Sequence, residues 1–158
     1  PIGLGLIARE AADLLEGSLA EHKAQVTIAP DLPVVFVDRA RVREVFTNLL
    51  ENSLKFFGSQ PEPVITIGMT AGVDGPVFFV RDNGMGIDPR YLTRIFTLFE
   101  RLDGNQQGTG VGLPIVQRII EAPGGKCWAE SEGPGTGTAF RFTLPVAGAV
   151  STDTNNTR

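Results

Sequence analysis

Two asparagines lie four residues apart in the segment Asn48-Leu49-Leu50-Glu51-Asn52-Ser53-Leu54-Lys55-Phe56, whose pattern is typical of a helix. This spacing places Asn48 and Asn52 on one helical face, with Lys55 and Phe56 one turn further along. Asparagine is a weak helix former, so two of them in mid-helix need a reason. One reason is a solvated polar face. The other is chemistry: an amide oxygen can coordinate a hard cation such as Mg²⁺, a lysine can contact phosphate oxygens, and a phenylalanine can pack against a flat ring.

A carboxylate follows the apolar run Val77–Val80, in the segment Asp82-Asn83-Gly84-Met85-Gly86. A carboxylate at the end of a buried strand can accept a hydrogen bond from an exocyclic amine, which distinguishes adenine from guanine with its carbonyl. Gly84 and Gly86 allow a sharp turn and leave room for a ring to approach. The alternative interpretation is an ordinary turn after a strand.

The segment Gly108-Thr109-Gly110-Val111-Gly112-Leu113 comes directly before a predicted helix. Free backbone amides and the positive end of a helix form an anion site in that geometry. A dinucleotide fingerprint is disfavoured because no suitable strand precedes the segment and no βαβ unit surrounds it. A Walker loop is also disfavoured, since no Gly-Lys-Ser/Thr follows.

Apolar periodicity predicts the elements that would position these groups. The predicted helices are Ile7–Ala20, a long helix after the N-cap Asp38, a short one at Arg90–Phe96 and one at Val111–Glu121. The predicted strands are Val26–Ile28, Ile65–Met69, Val77–Val80, Lys126–Ser131 and Thr138–Leu144, with Asp74-Gly75 as a hairpin signal. This pattern predicts an α+β fold, a two-layer sandwich with three main helices on one face of a mixed sheet of about five strands.

Composition predicts one soluble globular domain. The chain has 158 residues, 42% hydrophobic and 20% charged, with a net charge of −4. The charge gives no reason to expect nucleic acid or an anionic membrane as a partner. A lone Cys127, with no signal peptide and no long apolar run, favours a cytoplasmic location. We expect a domain over residues 1–145 and a disordered tail over 146–158, and the start at Pro1 rather than Met favours a piece of something longer.

Taken together, the three segments resemble the catalytic, ATP-binding domain of sensor histidine kinases, which has the Bergerat (GHKL) fold with a mostly antiparallel sheet. The helix with Asn48 and Asn52 is similar to the family's N box, and Asp82–Ile87 is similar to its G1 box. Ile95–Phe99 is similar to its F box and Gly108–Leu113 to its G2 box. The run from Ala129 to Pro145 resembles the closing hairpin, and Lys55-Phe56-Phe57-Gly58 is similar to phytochrome-like and PAS-linked kinases.

The resemblance implies two cofactors, ATP and Mg²⁺, and a role for each matching residue. It implies that Asn52 is the Mg²⁺ ligand, that Asn48 faces the phosphates and that Lys55 contacts them. The base would lie against Phe56 and Asp82, and a lid from Phe99 to Gln107 would carry Arg101. The remaining residues implied to bind ATP are Gly84, Gly86, Ile87, Gly108, Thr109, Gly110, Val111, Gly112, Leu113 and Thr138.

The implied reaction is transfer of the γ-phosphoryl group of ATP to a histidine on a separate dimerisation and phosphotransfer domain, and from there to a response regulator. His22, between Glu21 and Lys23, is predicted to be a surface residue rather than the acceptor. The isolated domain is expected to be monomeric and to turn over slowly. Three alternatives stay open: an anti-sigma-factor-type serine kinase, an ATPase of the gyrase and heat-shock-chaperone group, and a non-catalytic nucleotide-binding regulatory module. The ATPase is disfavoured because Asn48 stands where that group has its water-activating glutamate.

Overall fold

A computed structural model describes residues 2–88, 90, 92 and 112–145 of the chain. The helices in this part are α1 (Leu4–Leu14), α2 (Glu16–Glu21), α3 (Arg39–Lys55) and α4 (Gly112–Glu121). The strands are β1 (Ile2–Gly3), β2 (Gln25–Ile28), β3 (Val34–Val35), β4 (Val64–Gly72), β5 (Gly75–Asp82), β6 (Cys127–Glu130) and β7 (Thr138–Phe142). None of these helices combines the length and apolarity that crossing a membrane requires.

The main sheet has five strands in the order β2-β4-β5-β7-β6. Strand β2 runs parallel to β4, and the other three pairs are antiparallel. Strands β4 and β5 form the predicted hairpin, in which Gly72 pairs with Gly75. Its two connecting residues are Val73 and Asp74 rather than Asp74 and Gly75, because Gly75 already belongs to β5. The predicted α+β class with a mixed, mostly antiparallel sheet is confirmed.

The core lies between the helices and one face of the sheet, with α3 packed between α1 and α4. Alternate residues of the central strands enter it, among them Ile65, Ile67, Phe78, Val80, Phe140 and Phe142. The buried apolar residues of α3 belong to the same core as these strand residues. Burial of each such side chain contributes roughly 1.5–3 kcal/mol, so this core fixes where the polar ends of α3 and β5 lie.

Two features differ from the sequence-based expectations. The first predicted helix, Ile7–Ala20, starts earlier and is interrupted at Leu15, which leaves helical geometry with ψ near 17°. The residues on both sides remain apolar at helical spacing, so periodicity does not reveal the interruption. The second difference is a small antiparallel sheet of β1 and β3, whose two-residue strands are too short to give an alternating pattern.

The other predicted strands and helices agree with the structure to within a few residues at their ends. The predicted short helix Arg90–Phe96, the lid and the tail 146–158 lie outside the described residues, apart from Arg90 and Leu92.

Candidate functional site

Helix α3 carries the two asparagines on the side that does not enter the core. The helix begins at the predicted cap, where the Asp38 side chain accepts a hydrogen bond from the backbone N–H of Arg41 at 3.2 Å. Asn48 and Asn52 are half-buried and Lys55 is exposed. Within the described part of the chain, none of these three side chains makes a hydrogen bond, so their polar atoms remain available to a ligand.

The start of α4 lies against this asparagine face. A Cβ atom placed on Gly112 would lie 3.1 Å from Oδ1 of Asn48, which is tighter than ordinary van der Waals contact. Leu113, the next residue, is buried and anchors the helix start in the core. The first backbone amides of α4 and the amide side chain of Asn48 are therefore neighbours. The resemblance implies that both face phosphate, and a helix start with free amides suits an anion.

Asp82 is the last residue of β5 and is only 7% exposed. Its Oδ1 accepts a hydrogen bond from the backbone N–H of Gly84 at 2.9 Å, and its Oδ2 accepts one from the Ser53 hydroxyl at 3.0 Å. Across the sheet it pairs with Thr138, which is buried as well. Burial raises the pKa of Asp82 above its ordinary value, and the hydrogen bonds from Gly84, Ser53 and the Thr138 backbone oppose that rise.

The segment after Asp82 folds closely onto the end of α3. The carbonyl oxygen of Phe56, the C-cap residue directly after α3, accepts a hydrogen bond from the N–H of Met85 at 2.9 Å. A Cβ on Gly84 would lie 2.7 Å from that same oxygen, so a side chain there would force the two segments apart. Glycine at this position is therefore explained by close approach of two backbones.

The β6–β7 hairpin forms a wall beside this segment. The Ser131 hydroxyl accepts a hydrogen bond from the N–H of Ile87 at 3.0 Å and donates one to the Gly137 carbonyl at 2.7 Å. Gly86 has φ +77°, and a Cβ there would overlap the carbonyl oxygen of Gly133. Gly137 has φ +81° and packs equally closely on the carbonyl of Asp82. The hairpin thus fixes the turn that follows the carboxylate.

These groups form two adjoining parts of one candidate site. We name the first the base end: Asp82, Ser53, Gly84, Gly86 and the hairpin. The second is the phosphate end: Asn48, Asn52, Lys55 and the start of α4. The two are joined because Ser53, which binds Asp82, directly follows Asn52 on α3.

The phosphate end suits a magnesium ion that takes most of its ligands from bound phosphate and water and few from the protein. No cluster of three or more His, Cys, Asp or Glu occurs among residues 2–88, 90, 92 and 112–145, so an all-protein metal cage is not present there. Half-buried amide oxygens without protein partners are suitable ligands for Mg²⁺, which retains water and takes its remaining ligands from phosphate. Asn48 and Asn52 meet that description.

The structure brings together the described residues that the sequence singled out, in the two groups above, with Phe56 and Ile87 at the turn and Thr138 beside Asp82. His22 is exposed at the end of α2, and its Nδ1 lies 2.8 Å from the carbonyl oxygen of Ser18, as a surface residue should be. The F box Ile95–Phe99, Arg101, Gly108, Thr109, Gly110 and Val111 lie outside the described residues.

Sequence reasoning missed two positioning residues. Ser53 lies in the buried stripe of α3, where every other member is apolar, and a polar residue in such a stripe is itself a signal of a buried hydrogen bond. Ser131 lies in the loop between β6 and β7, and nothing in its sequence neighbourhood indicates that its hydroxyl reaches Ile87.

Comparison with known proteins identifies the family of this chain. Residues 37–148 match the family described as histidine kinase-, DNA gyrase B- and HSP90-like ATPase. The methanogenesis regulatory histidine kinase FilI of Methanothrix harundinacea is 48% identical over 142 residues, which cover 90% of this chain and 16% of FilI. Cyanobacterial phytochrome A of Nostoc sp. is 43% identical, over 85% of this chain and 17% of that protein. The chain thus spans less than a fifth of the length of these relatives.

Solved structures show the same fold. Full-length ShkA in complex with AMPPNP superposes with a TM-score of 0.79 at 30% identity, over 93% of this chain and 31% of that one. The nucleotide-free catalytic domain of the histidine kinase ThkA gives a TM-score of 0.76 at 28% identity, over 92% and 93%. The chain therefore belongs to the histidine kinase-, DNA gyrase B- and HSP90-like ATPase family, and it is homologous to histidine kinases, including phytochrome-like ones.

Proposed function

We propose that this chain binds Mg·ATP at the candidate site and donates the γ-phosphoryl group to a histidine on a separate dimerisation and phosphotransfer domain. The observation that carries the proposal is the buried Asp82 carboxylate, held at the end of β5 beside the asparagine face of α3. A carboxylate in that place accepts from the amino group of adenine, and the helix face next to it meets the phosphates.

Some residues of the site are proposed to bind the adenine base, and others to neutralise the charge of the phosphates. Asp82 takes the adenine amine, and Gly84 and Gly86 keep space for the ring beside Phe56. Asn52, with Asn48 beside it, is the protein ligand proposed for Mg²⁺, which when bound neutralises phosphate charge. The exposed Lys55 adds a cation near the phosphate oxygens. Gly108, Thr109, Gly110 and Val111, with Arg101 of the lid, are proposed to complete the phosphate end.

The transfer step needs positioning more than covalent help from the protein. A nitrogen of the acceptor imidazole attacks the γ-phosphorus, the bond from that phosphorus to the β–γ bridging oxygen breaks, and ADP leaves with the electron pair. Catalysis comes from alignment of the two reactants and from neutralisation of the spreading charge. We place the acceptor on another domain, because the one histidine of this chain, His22, lies outside any acceptor-like pattern and its Nδ1 is within hydrogen-bond distance of Ser18 in its own helix.

Further proposals follow from the relatives. Histidine kinases pass the phosphoryl group to a response regulator, and we propose such a protein as the indirect partner. We also propose a cytoplasmic location and a monomeric state for the isolated domain. Hydrolysis as the main activity is disfavoured, since Asn48 occupies the position of the glutamate that would activate water and Glu51 is exposed off that face.

The decisive experiment supplies γ-labelled ATP and Mg²⁺ with a separately purified acceptor-histidine domain of a related kinase. We expect label on the acceptor that is lost in acid and kept in alkali, and none when the acceptor histidine is replaced by glutamine. Acid-stable label on a protein partner would favour the serine kinase. Phosphate release by this chain alone at many turnovers per minute would favour the ATPase, and failure to bind ATP would leave only a non-catalytic module.

A further inference from the structure

We propose that Ser53 sets the selectivity of the site for adenine by holding the Asp82 carboxylate in position as a hydrogen-bond acceptor. This inference rests on the proposed function, because it assumes that a purine nucleotide binds beside Asp82. It assigns Ser53 a role that acts through Asp82 rather than on the nucleotide, so Ser53 is a positioning residue rather than a catalytic one.

The geometry leaves the carboxylate little freedom to turn. Gly84 N–H donates to Oδ1 at 2.9 Å and Ser53 Oγ–H donates to Oδ2 at 3.0 Å, so both oxygens are held from different elements of the fold. Ser53 is fully buried and lies on the core side of α3. A carboxylate bound through both oxygens keeps one orientation, and each oxygen retains a lone pair for an incoming amine.

The Ser53 bond also favours the charged form of Asp82. Burial is the largest influence on this carboxyl and raises its pKa, and the donors that oppose the rise come from Gly84, Ser53 and the Thr138 backbone. All three are uncharged, so no neighbouring cation among the groups acting on Asp82 can compensate for the loss of one donor. Without Ser53, Asp82 should take up a proton at a higher pH.

Protonation would change which purine the site accepts. The ionised carboxylate only accepts hydrogen bonds, so it pairs with the 6-amino group of adenine and repels the 6-carbonyl of guanine. A protonated carboxyl can donate to that carbonyl. Loss of the Ser53 hydroxyl should therefore weaken ATP binding and, as the pH falls, narrow the difference between ATP and GTP.

The test compares wild type with Ser53→Ala by calorimetric titration of Mg·ATP and Mg·GTP between pH 5 and pH 8. We expect Ser53→Ala to bind ATP about 5- to 10-fold more weakly at neutral pH. This is less than the full value of a hydrogen bond to a charged group, because a displaced Asp82 carboxylate weakens its bond to adenine without removing it. The pH at which ATP affinity falls to half should move upward, and the ratio of ATP to GTP affinity should drop. Binding of magnesium tripolyphosphate, which has no base, should not change.

Two further variants at position 53 distinguish the loss of the hydroxyl from a general effect on folding. Ser53→Thr keeps the hydroxyl and should restore the wild-type pH dependence, whereas Ser53→Cys keeps the size but is a weak donor and should behave like Ser53→Ala. Ser59→Ala removes an exposed serine and is the control. Wild-type ATP affinity, pH midpoint and purine preference in both Ser53→Ala and Ser53→Cys would overturn the inference. If wild type itself binds no Mg·ATP, the proposed function fails instead.

Discussion

The base end and the phosphate end of the site differ in how far protein hydrogen bonds already hold their polar groups. At the base end, both oxygens of Asp82 are hydrogen-bonded, and the hairpin is tied to the turn through Ser131. At the phosphate end, Asn48, Asn52 and Lys55 make no side-chain hydrogen bond within the described part of the chain. One end is thus complete before a ligand arrives, and the other has polar atoms that a ligand would satisfy.

The proposed function accounts for this difference, since it assigns a purine to the base end and the triphosphate with Mg²⁺ to the phosphate end. A purine is flat, neutral and rigid, and a pre-formed cavity recognises it at little cost in ordering. A triphosphate with Mg²⁺ is strongly charged and carries its own water, so the protein needs to offer only a few ligands around it. The base end should therefore govern which nucleotide binds, and the phosphate end should govern dependence on the metal and the rate of transfer.

The largest expected effect is at the phosphate end. Asn52→Ala should lower the rate of phosphoryl transfer by at least about 100-fold, because the Mg²⁺ ion that Asn52 is proposed to hold would supply several kcal/mol of charge stabilisation in the transition state. ATP affinity should become insensitive to Mg²⁺, as measured by calorimetry with and without EDTA. Glu51→Gln, an adjacent exposed change on the same helix, is the control and should retain both properties. Equal loss in both variants would assign the effect to the helix rather than to the site.

The next effect is at the base end. Asp82→Asn should weaken ATP binding by roughly 1.5–3 kcal/mol, the value of a charge-assisted hydrogen bond, with the response to Mg²⁺ retained. Titration with an ATP analogue measures it, and Asp31→Asn, an exposed carboxylate in the turn before β3, is the matched control. Unchanged affinity in Asp82→Asn would remove the carboxylate from the site and, with it, the proposed division between the two ends.

A smaller effect should distinguish a close contact from backbone strain. Gly86 and Gly135 both have positive φ, but only at Gly86 would an added Cβ meet another atom, the carbonyl oxygen of Gly133. Gly135→Ala should cost about 1 kcal/mol of unfolding free energy from strain alone, and Gly86→Ala about 2–3 kcal/mol with the clash added. Denaturant unfolding measures both. If the two variants lose equal stability, the hairpin does not brace the turn after Asp82.

The fold could be predicted from the sequence where periodicity spans several residues. The α3 stripe, the Asp38 cap and the β4–β5 hairpin each depend on local patterns, and all three are confirmed. The two-residue strands β1 and β3 could not be predicted, because their pairing joins residues about thirty positions apart without a pattern in either segment. The break at Leu15 likewise has no sequence signal.

The sequence could predict the candidate-site residues whose own chemistry is unusual, but not the hydrogen bonds that hold them in place. Asn48, Asn52 and Asp82 were found because their chemistry is unusual for their places in a helix and at a strand end. Ser53 and Ser131 were missed because a hydroxyl gains its role only from what lies across from it in three dimensions. A site residue that acts on substrate can be identified from its own chemistry, whereas one that acts on another residue requires the fold.

The smallest expected effect is on the free energy of unfolding, which the burial of the ionised Asp82 carboxylate at the base end should lower. The pKa of Asp82 is raised in the folded chain above its ordinary value, so between those two values the folded state binds a proton that the unfolded state does not. Its contribution to unfolding free energy therefore falls as the pH rises through that window, opposite to a carboxylate in an ion pair.

Asp82→Asn removes this charge while retaining an acceptor for Gly84, and Ser53 can accept from the new amide. Without nucleotide, the variant should melt a few degrees higher than wild type at neutral pH, with the gap closing in acid. Thermal unfolding followed by circular dichroism at several pH values measures this gap. A variant less stable than wild type at every pH would show that the ionised carboxylate stabilises the empty site, and that the base end is prepared at no cost to the fold.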